Sequence, residues 1–167
     1  MGFWDMFKPA PPPSIPSALP DAAKKQIERG ILPNLTSNRI FLRTGELCHY
    51  IDKSIYERRT VSKKRVRKSS GYSMPGLSSG SRFRTGGSNT TMVEDVKYDT
   101  CKGVLYITNQ RIMFVGSQAG FGFEKDIDDL IAVVPFSNCI ELQFSKETLK
   151  LFVPDGNIPL RVLNMLK

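Results

Sequence analysis

The side chains of this sequence best suited to chemistry are cations, and they are concentrated in one segment. Between Lys53 and Lys68 a single acid, Glu57, accompanies eight basic residues, so this segment carries +7 of the chain's net charge of +8. A local excess of this kind favours an anionic partner more than a diffuse excess would. The candidate ligands for an anion or a lipid headgroup are Arg58, Arg59, Lys63, Lys64, Arg65, Arg67 and Lys68.

The other reactive side chains are too few and too scattered to predict an active site. The single histidine, His49, adjoins Cys48, and neighbouring residues of a strand point to opposite faces, which disfavours a Cys–His catalytic pair. Cys48, Cys101 and Cys139 form no C-x-x-C pair and therefore predict neither a zinc site nor a redox site. We predict a protein that is not an enzyme, with no catalytic residue, no metal, no cofactor and no small-molecule substrate.

The elements that must position the basic segment begin with an unusual N-terminus. Residues 1–20 join an aromatic tip, with Phe3, Trp4 and Phe7, to a flexible arm rich in proline, which favours an extended conformation. The tip has two open interpretations: a disordered tail, or an adhesive segment that touches a membrane or a protein partner. Residues 21–37 predict a helix and a connector, with Asp21 as the N-cap and Gly30 as the stop.

From residue 38 onward, apolar alternation predicts short strands. The alternating sets are Ile140, Leu142 and Phe144, then Leu149, Leu151 and Val153. Upstream, Leu47, His49, Ile51 and Ile55 share one parity, which predicts one face of a strand. The basic segment continues this strand, either past a bulge or as a strand exposed on both faces. Pro159 and the leucines after it predict a short amphipathic helix at the C-terminus.

Residues 69–91 predict a long loop because they include seven serines and five glycines. Four larger apolar side chains interrupt this composition: Tyr72, Met74, Leu77 and Phe83. A plain linker would not carry them, so we expect an irregular hairpin or an excursion whose aromatic side chains lie partly on the domain.

The stretch Gly103–Val115, GVLYITNQRIMFV, predicts a β-hairpin. The apolar positions Leu105, Ile107, Ile112 and Phe114 alternate on both arms and are expected in the core. Asn109 is expected to form the turn, because asparagine tolerates the left-handed conformation of tight hairpins. Thr108 and Arg111 are expected to brace that turn.

This hairpin resembles a known signature. The residues Gly103, Leu105, Tyr106, Ile107, Thr108, Asn109, Arg111, Ile112 and Phe114 match G-x-L-Y-I-T-N-x-R-I-x-F, found in bacterial pleckstrin-homology-like (PH-like) and GRAM-like domains. Upstream, the segment from Gly45 to Tyr50 is similar to the Gly-Glu start of such domains. The resemblance implies a mainly β fold over residues 38–167: an antiparallel β-barrel or sandwich capped by a short C-terminal helix, with one extra N-terminal helix.

What the resemblance implies about function is binding without catalysis. The leading hypothesis is an interaction module of the cytoplasm that binds a protein partner or itself. The alternative is peripheral attachment to an anionic membrane surface through residues 53–68, in a place along the chain similar to the basic segments of lipid-binding relatives. A weaker alternative is nucleic-acid binding, in which Tyr56 would stack on a base. The cytoplasm is expected because the N-terminus resembles no secretory signal and no apolar run reaches the ~18 residues of a membrane span.

Overall fold

The computed structural model describes residues 13–75 and 82–167, and these form seven strands and two helices. The strands are β1 (Cys48–Pro75), β2 (Arg82–Thr108), β3 (Arg111–Gly116), β4 (Gly122–Asp126), β5 (Leu130–Pro135), β6 (Cys139–Phe144) and β7 (Thr148–Phe152). The helices are α1 (Asp21–Glu28) and α2 (Asn157–Leu166), and a 3-10 turn at Ile127–Asp129 joins β4 to β5. The prediction of a mainly β fold is confirmed.

The strands form one antiparallel sheet in the order β4-β3-β2-β1-β7-β6-β5, and this sheet is not closed into a barrel. The predicted barrel is therefore wrong as to closure, because β4 and β5 remain edges. Apolar alternation predicts which residues of a strand face the core, and it carries no information on whether the two edge strands bond to each other. At the β5 edge, the Lys167 ammonium donates to the carbonyl oxygen of Leu130.

The chain divides into two units. Residues 1–58 and 100–167 form the first, which we name the sheet unit, and residues 59–99 form the second, which we name the ribbon. In the ribbon, β1 is hydrogen-bonded to β2. The pairs of β1 with β7 and of β2 with β3 lie at residues 55–57 and 103–107, in the sheet unit.

The ribbon corrects part of the predicted 69–91 loop. Residues 69–75 and 82–91 are strand, while 76–81 lie outside the described residues. The serine- and glycine-rich composition was misleading because small residues also suit a tightly paired two-stranded ribbon. At Gly86, a Cβ atom would collide with the backbone of Ser70 and Gly71 on the other strand, so close approach of the strands requires glycine there.

The core of the sheet unit is built around the predicted hairpin, which is confirmed. β2 and β3 pair Leu105 with Phe114 and Ile107 with Ile112, and all four side chains are buried. Both helices add apolar side chains to the same cluster: Ala23 and Ile27 from α1, and Ile158, Val162 and Leu163 from α2. Burial of such side chains is the dominant favourable term in folding, at about 25 cal/mol per Å² of apolar surface.

The face of β1 that turns to the core is the more polar one. Tyr50, Asp52, Ser54 and Tyr56 are buried, whereas Leu47, on the other parity, is 45% exposed. The polar members keep hydrogen-bond partners, as buried polar groups must. The Ser54 hydroxyl donates to a backbone carbonyl of β7, and the Asp52 carboxylate accepts from the arm residues 17 and 18. The root of the proline-rich arm is thus tied to the sheet.

The hairpin turn works differently from the prediction. No residue other than glycine has a positive φ in the described part of the chain, so Asn109 does not adopt the left-handed conformation. Its side chain acts instead: Oδ1 accepts from Leu47 N at 2.8 Å and Nδ2 donates to Gly45 O at 3.1 Å. The predicted bracing role of Thr108 is confirmed, since its hydroxyl oxygen accepts from the backbone N–H of Arg111 at 2.9 Å.

A buried ion pair joins the hairpin to the segment before β1. Arg111 Nε donates to Glu46 Oε1 at 2.8 Å, and Arg111 Nη2 donates to Glu46 Oε2 at 3.1 Å. Glu46 Oε1 also accepts from the Thr108 hydroxyl, and Oε2 accepts from the backbone N–H of Arg43. The remaining guanidinium nitrogen, Nη1, donates to a carboxylate oxygen of Glu124 at 2.8 Å. We name Glu46, Thr108 and Arg111 the clamp.

The clamp keeps Glu46 charged. Burial works to raise the pKa of this carboxyl, but hydrogen bonds from Arg111, Arg43 N–H and Thr108 outweigh burial and hold the pKa below its ordinary value. The pKa of Glu124 is lowered too, chiefly by its hydrogen bond from Arg111. The two carboxylate oxygens of Glu46 accept four hydrogen bonds in all. A glutamine at this position would replace one of these oxygens with an NH₂ group, whose hydrogens would face N–H or O–H donors.

The substitution Glu46→Gln is expected to cost about 3–5 kcal/mol of unfolding free energy, because it leaves the buried Arg111 charge without its main partner. The matched control is Glu124→Gln, the same change on a carboxylate bound to the same arginine but 47% exposed. It is expected to cost at most about 1 kcal/mol. Urea unfolding of both variants at neutral pH measures the difference, and equal costs would contradict the assigned role of the clamp.

The clamp also predicts how stability depends on pH. Because the pKa of Glu46 is lowered by folding, its contribution is present above its ordinary value of 4.5 and is lost as the pH falls through the lower folded pKa. The difference in unfolding free energy between the wild-type chain and Glu46→Gln is therefore expected to narrow below about pH 4.5. Urea titrations at several pH values between about 3 and 7 test this, and a difference that widens on acidification would contradict it.

Candidate functional site

The seven predicted cations all lie on β1, but they fall in different surroundings. Arg58 belongs to the sheet unit, and the other six, from Arg59 to Lys68, belong to the ribbon. The predicted tip of Phe3, Trp4 and Phe7 lies outside the described residues. Six of the seven candidate cations therefore belong to the ribbon.

Arg58 is used in packing. Its guanidinium carbon lies 4.2 Å from the centre of the Phe121 ring, and Nη1 donates to Gly120 O at 3.3 Å. Its Nε is buried and has no hydrogen-bond partner. A cation held over an aromatic ring gains about 0.5–2 kcal/mol and gives up freedom to reach a ligand. The sequence could not separate Arg58 from Arg59, because the difference comes from the loop between β3 and β4.

Tyr56 is likewise unavailable for the stacking role that the nucleic-acid hypothesis gave it. It is 8% exposed and packs against Phe114 and Phe123, with ring centres 5.6 and 5.4 Å away. Burial is also the main cause that raises its pKa. A base cannot stack on a ring that is buried in the core, so Tyr56 does not belong to the candidate site.

Two ion pairs establish which ribbon residues share a face. Lys63 Nζ lies 3.8 Å from a carboxylate oxygen of Glu94, and Lys64 Nζ lies 3.1 Å from one of Asp95. Since residues alternate along a strand, Lys63 and Glu94 belong to one face and Lys64 and Asp95 to the other. The first face, which we name the cationic face, comprises Arg59, Val61, Lys63, Arg65, Arg67, Met92, Glu94, Val96 and Tyr98.

The two faces differ in charge and in apolar surface. Four cations and one acid give the cationic face +3, whereas Lys64, Lys68 and Lys97 with Asp95 and Asp99 give the opposite face +1. The cationic face also exposes four apolar side chains: Val61 at 44%, Met92 at 55%, Val96 at 36% and Tyr98 at 62%. The opposite face exposes Val66 and Val93. Cations and apolar side chains are thus concentrated together.

The acids opposite the lysines do not neutralise the site. The side chains of Lys63 and Lys64 remain 65% and 67% exposed, and Glu94 and Asp95 remain 60% and 40% exposed. Exposed pairs of this kind contribute only about 0–1 kcal/mol and are screened by salt. The lysines can therefore exchange these carboxylates for another anion at little cost.

The apolar members of this face were not among the residues predicted for the site. The signal was present in part, since Val96 and Tyr98 alternate with Asp95, Lys97 and Asp99. The pairing of β2 with β1, which puts Val96 and Tyr98 on one face with the cations, is a tertiary fact. Lys53 belongs to the sheet unit, where it lines a cavity of 250 Å³. That cavity is lined by Ser14, Ile15, Pro16, Ser54, Ile55, Lys102 and Gly103 as well.

The described residues offer little for other chemistry. Within residues 13–75 and 82–167, no three His, Cys, Asp or Glu side chains are grouped as metal ligands would be. His49 is buried, and its Nδ1 lies 2.7 Å from the carbonyl oxygen of Pro33. The thiols of Cys48 and Cys139 are buried, which is the main cause that raises the pKa of each, to about 11 for Cys48. A thiol with a raised pKa is a poor nucleophile.

Comparisons with known proteins leave the family open. No protein-family model matches the chain, and no curated protein matches it. Part of the chain is similar to the crystal structure of the C-terminal domain of an unknown protein from Leishmania infantum, with a TM-score of 0.36 and 19% sequence identity over 41% of this chain and 71% of that one. A similarity at this level carries no argument about fold or function. No helix in the described part of the chain is long and apolar enough to span a membrane.

The contrast between the adjacent Arg58 and Arg59 is testable. Arg58→Gln is expected to cost about 1–2 kcal/mol of unfolding free energy, because the contact with Phe121 and the bond to Gly120 O are lost. Arg59→Gln, the same change one position along the strand at an exposed site, is expected to alter it by no more than about 0.5 kcal/mol. Urea unfolding measures both, and a larger cost at Arg59 would contradict the assignment.

Proposed function

We propose that this chain is a non-enzymatic binding module on a PH-like scaffold. Two observations support the scaffold: the residues of the signature hairpin occupy the core, and a run of antiparallel strands ends in a helix whose apolar side chains enter that core. The open sheet is a departure from the expected barrel. The proposed location is the cytoplasm, at the surface of a membrane.

We propose an anionic lipid bilayer as the partner, bound through the cationic face. The observation that carries this proposal is that four cations and four exposed apolar side chains share one face of the ribbon. Near an anionic membrane each cation contributes about 1 kcal/mol, and apolar side chains gain free energy when they enter the interface. The electrostatic attraction of the cations and the burial of the apolar side chains require the same orientation of the ribbon, so the two contributions to the binding free energy add.

The same face is less suited to a nucleic acid or to a second copy of the chain. The phosphates of a nucleic acid attract the cations equally well, but a nucleic acid offers no apolar phase to Val61, Met92 and Val96. Two copies of the ribbon would bring like charges together, because residues 59–99 hold nine basic and three acidic residues. A bilayer satisfies the cations and the aliphatic side chains at once.

A protein partner is the second candidate function, and a different surface supports it. The Phe41 side chain is 93% exposed, while its carbonyl oxygen accepts from Arg111 Nη2 at 2.6 Å. The backbone that carries this aromatic ring is thereby fixed by the clamp. A preorganised exposed aromatic ring is typical of an anchor in a protein interface, because little entropy is lost when it is buried.

The proposed orientation is tested by two double variants of equal charge change. Arg65→Glu with Arg67→Glu reverses the cationic face, and Lys64→Glu with Lys68→Glu reverses neighbouring positions on the opposite face. The first is expected to weaken binding to vesicles of phosphatidylcholine with phosphatidylserine by about 2–4 kcal/mol, a loss of roughly 30- to 1000-fold. The second is expected to weaken it several-fold less. Co-sedimentation at about 0.1 M salt measures both.

Neutral phosphatidylcholine vesicles and circular dichroism of each variant serve as controls for charge dependence and for folding. Equal losses in the two variants would overturn the assigned face. Wild-type binding that is absent, or equal on anionic and neutral vesicles, would overturn the membrane proposal. Tighter binding to duplex DNA or single-stranded RNA than to anionic vesicles at the same salt would transfer the site to a nucleic acid.

A further inference from the structure

The cations of the cationic face form a line along one strand. Residues on one face of a strand are two positions apart, which is about 6.6 Å at a rise of ~3.3 Å per residue. From Arg59 to Arg67 the line therefore extends about 26 Å. Neighbouring members such as Arg65 and Arg67 can approach one phosphate group together, but Arg59 and Arg67 cannot. The line spans several headgroups of a bilayer.

Within the described residues of the ribbon, no side chains form the walls of a headgroup pocket around these cations. Arg59, Lys63, Arg65 and Arg67 are all exposed, and their strand pairs with β2 alone within the ribbon. A site that selects one small ligand is concave and covers most of its surface. An exposed two-stranded ribbon contacts its ligand from one side only, so it responds to the charge of the ligand with little selection for its stereochemistry.

The acids on the ribbon fit the same interpretation. Glu94 lies opposite Lys63 at 3.8 Å, with both side chains largely exposed. In a pocket built for a polyphosphate, a carboxylate beside the ligand would repel it strongly. On a surface that binds many monovalent headgroups, one acid only lowers the summed charge, here to +3 for the face.

From this geometry we infer that the cationic face binds a layer of anionic lipids with an affinity set by the charge density of that layer, and that it has no site for an individual headgroup. The inference rests on the proposed membrane function and deepens it. The ligands of the cationic face are monovalent anionic phospholipids, several of which it contacts at once. Affinity then rises steeply with their fraction in the bilayer and is indifferent to which headgroup supplies the charge. The apolar side chains Val61, Met92 and Val96 add a contribution that is also independent of the headgroup.

The test uses the full chain and three sets of phosphatidylcholine vesicles adjusted to the same surface potential. One set contains phosphatidylserine, one phosphatidylglycerol, and one a smaller fraction of a polyphosphoinositide. The partition coefficients are expected to agree within about threefold, because each cation contributes by its distance from the charged surface. A preference of tenfold or more for one lipid at matched potential would overturn the inference.

A conservative variant provides a second readout. Arg65→Lys with Arg67→Lys keeps the charge but removes the planar fork that binds one phosphate through two parallel hydrogen bonds. Charge-density binding is expected to change by no more than about twofold, whereas a tenfold loss would reveal a headgroup site and overturn the inference. The failure of the proposed function looks different: none of the three anionic vesicle sets would then bind the wild-type chain.

Discussion

The ion pair between Glu46 and Arg111 is the interaction on which the sheet unit depends. It joins the segment before β1 to the turn of the central hairpin, 65 positions later in the chain, and through Glu124 it also contacts strand β4. The pair is buried, and a buried pair with an unsatisfied partner would destabilise the fold. Here every oxygen of Glu46 accepts from at least one donor, so the low-dielectric site strengthens the network. The signature residues Glu46, Thr108 and Arg111 are thus explained by a structural role.

A structural feature could be predicted from the sequence where the contacts that determine it join residues close together in the chain, and could not where those contacts join distant residues. The hairpin of β2 and β3 and its four core residues followed from alternation, because cross-strand neighbours a few residues apart decide them. The buried face of β1 could not be predicted by apolar content, since Asp52 and Ser54 are buried with partners supplied by the arm and by β7. For the same reason the turn residue Asn109 was recognised while its action was not: its partners lie more than 60 positions upstream.

The candidate site shows a similar division. The position of the basic residues along the chain was predictable, but the sorting of those residues was a tertiary outcome. Arg58 is taken up by Phe121, Lys64 and Lys68 turn to the opposite face, and Arg59, Lys63, Arg65 and Arg67 remain together. A serine- and glycine-rich stretch that composition assigned to a loop supplies part of the strands that do this sorting.

The two units also differ in how their polar and apolar groups are satisfied. In the sheet unit, the buried pair of Glu46 and Arg111 has hydrogen-bond partners, and apolar side chains form two buried clusters. In the ribbon, two paired strands expose valine, methionine and tyrosine beside an excess of cations, and a two-stranded ribbon by itself is only marginally stable in water. An extended structure of this kind gains stability from whatever covers it. An anionic surface with an apolar layer beneath would provide both missing terms, charge neutralisation and burial, and this physical incompleteness of the ribbon is the reason why a bilayer is proposed as its partner.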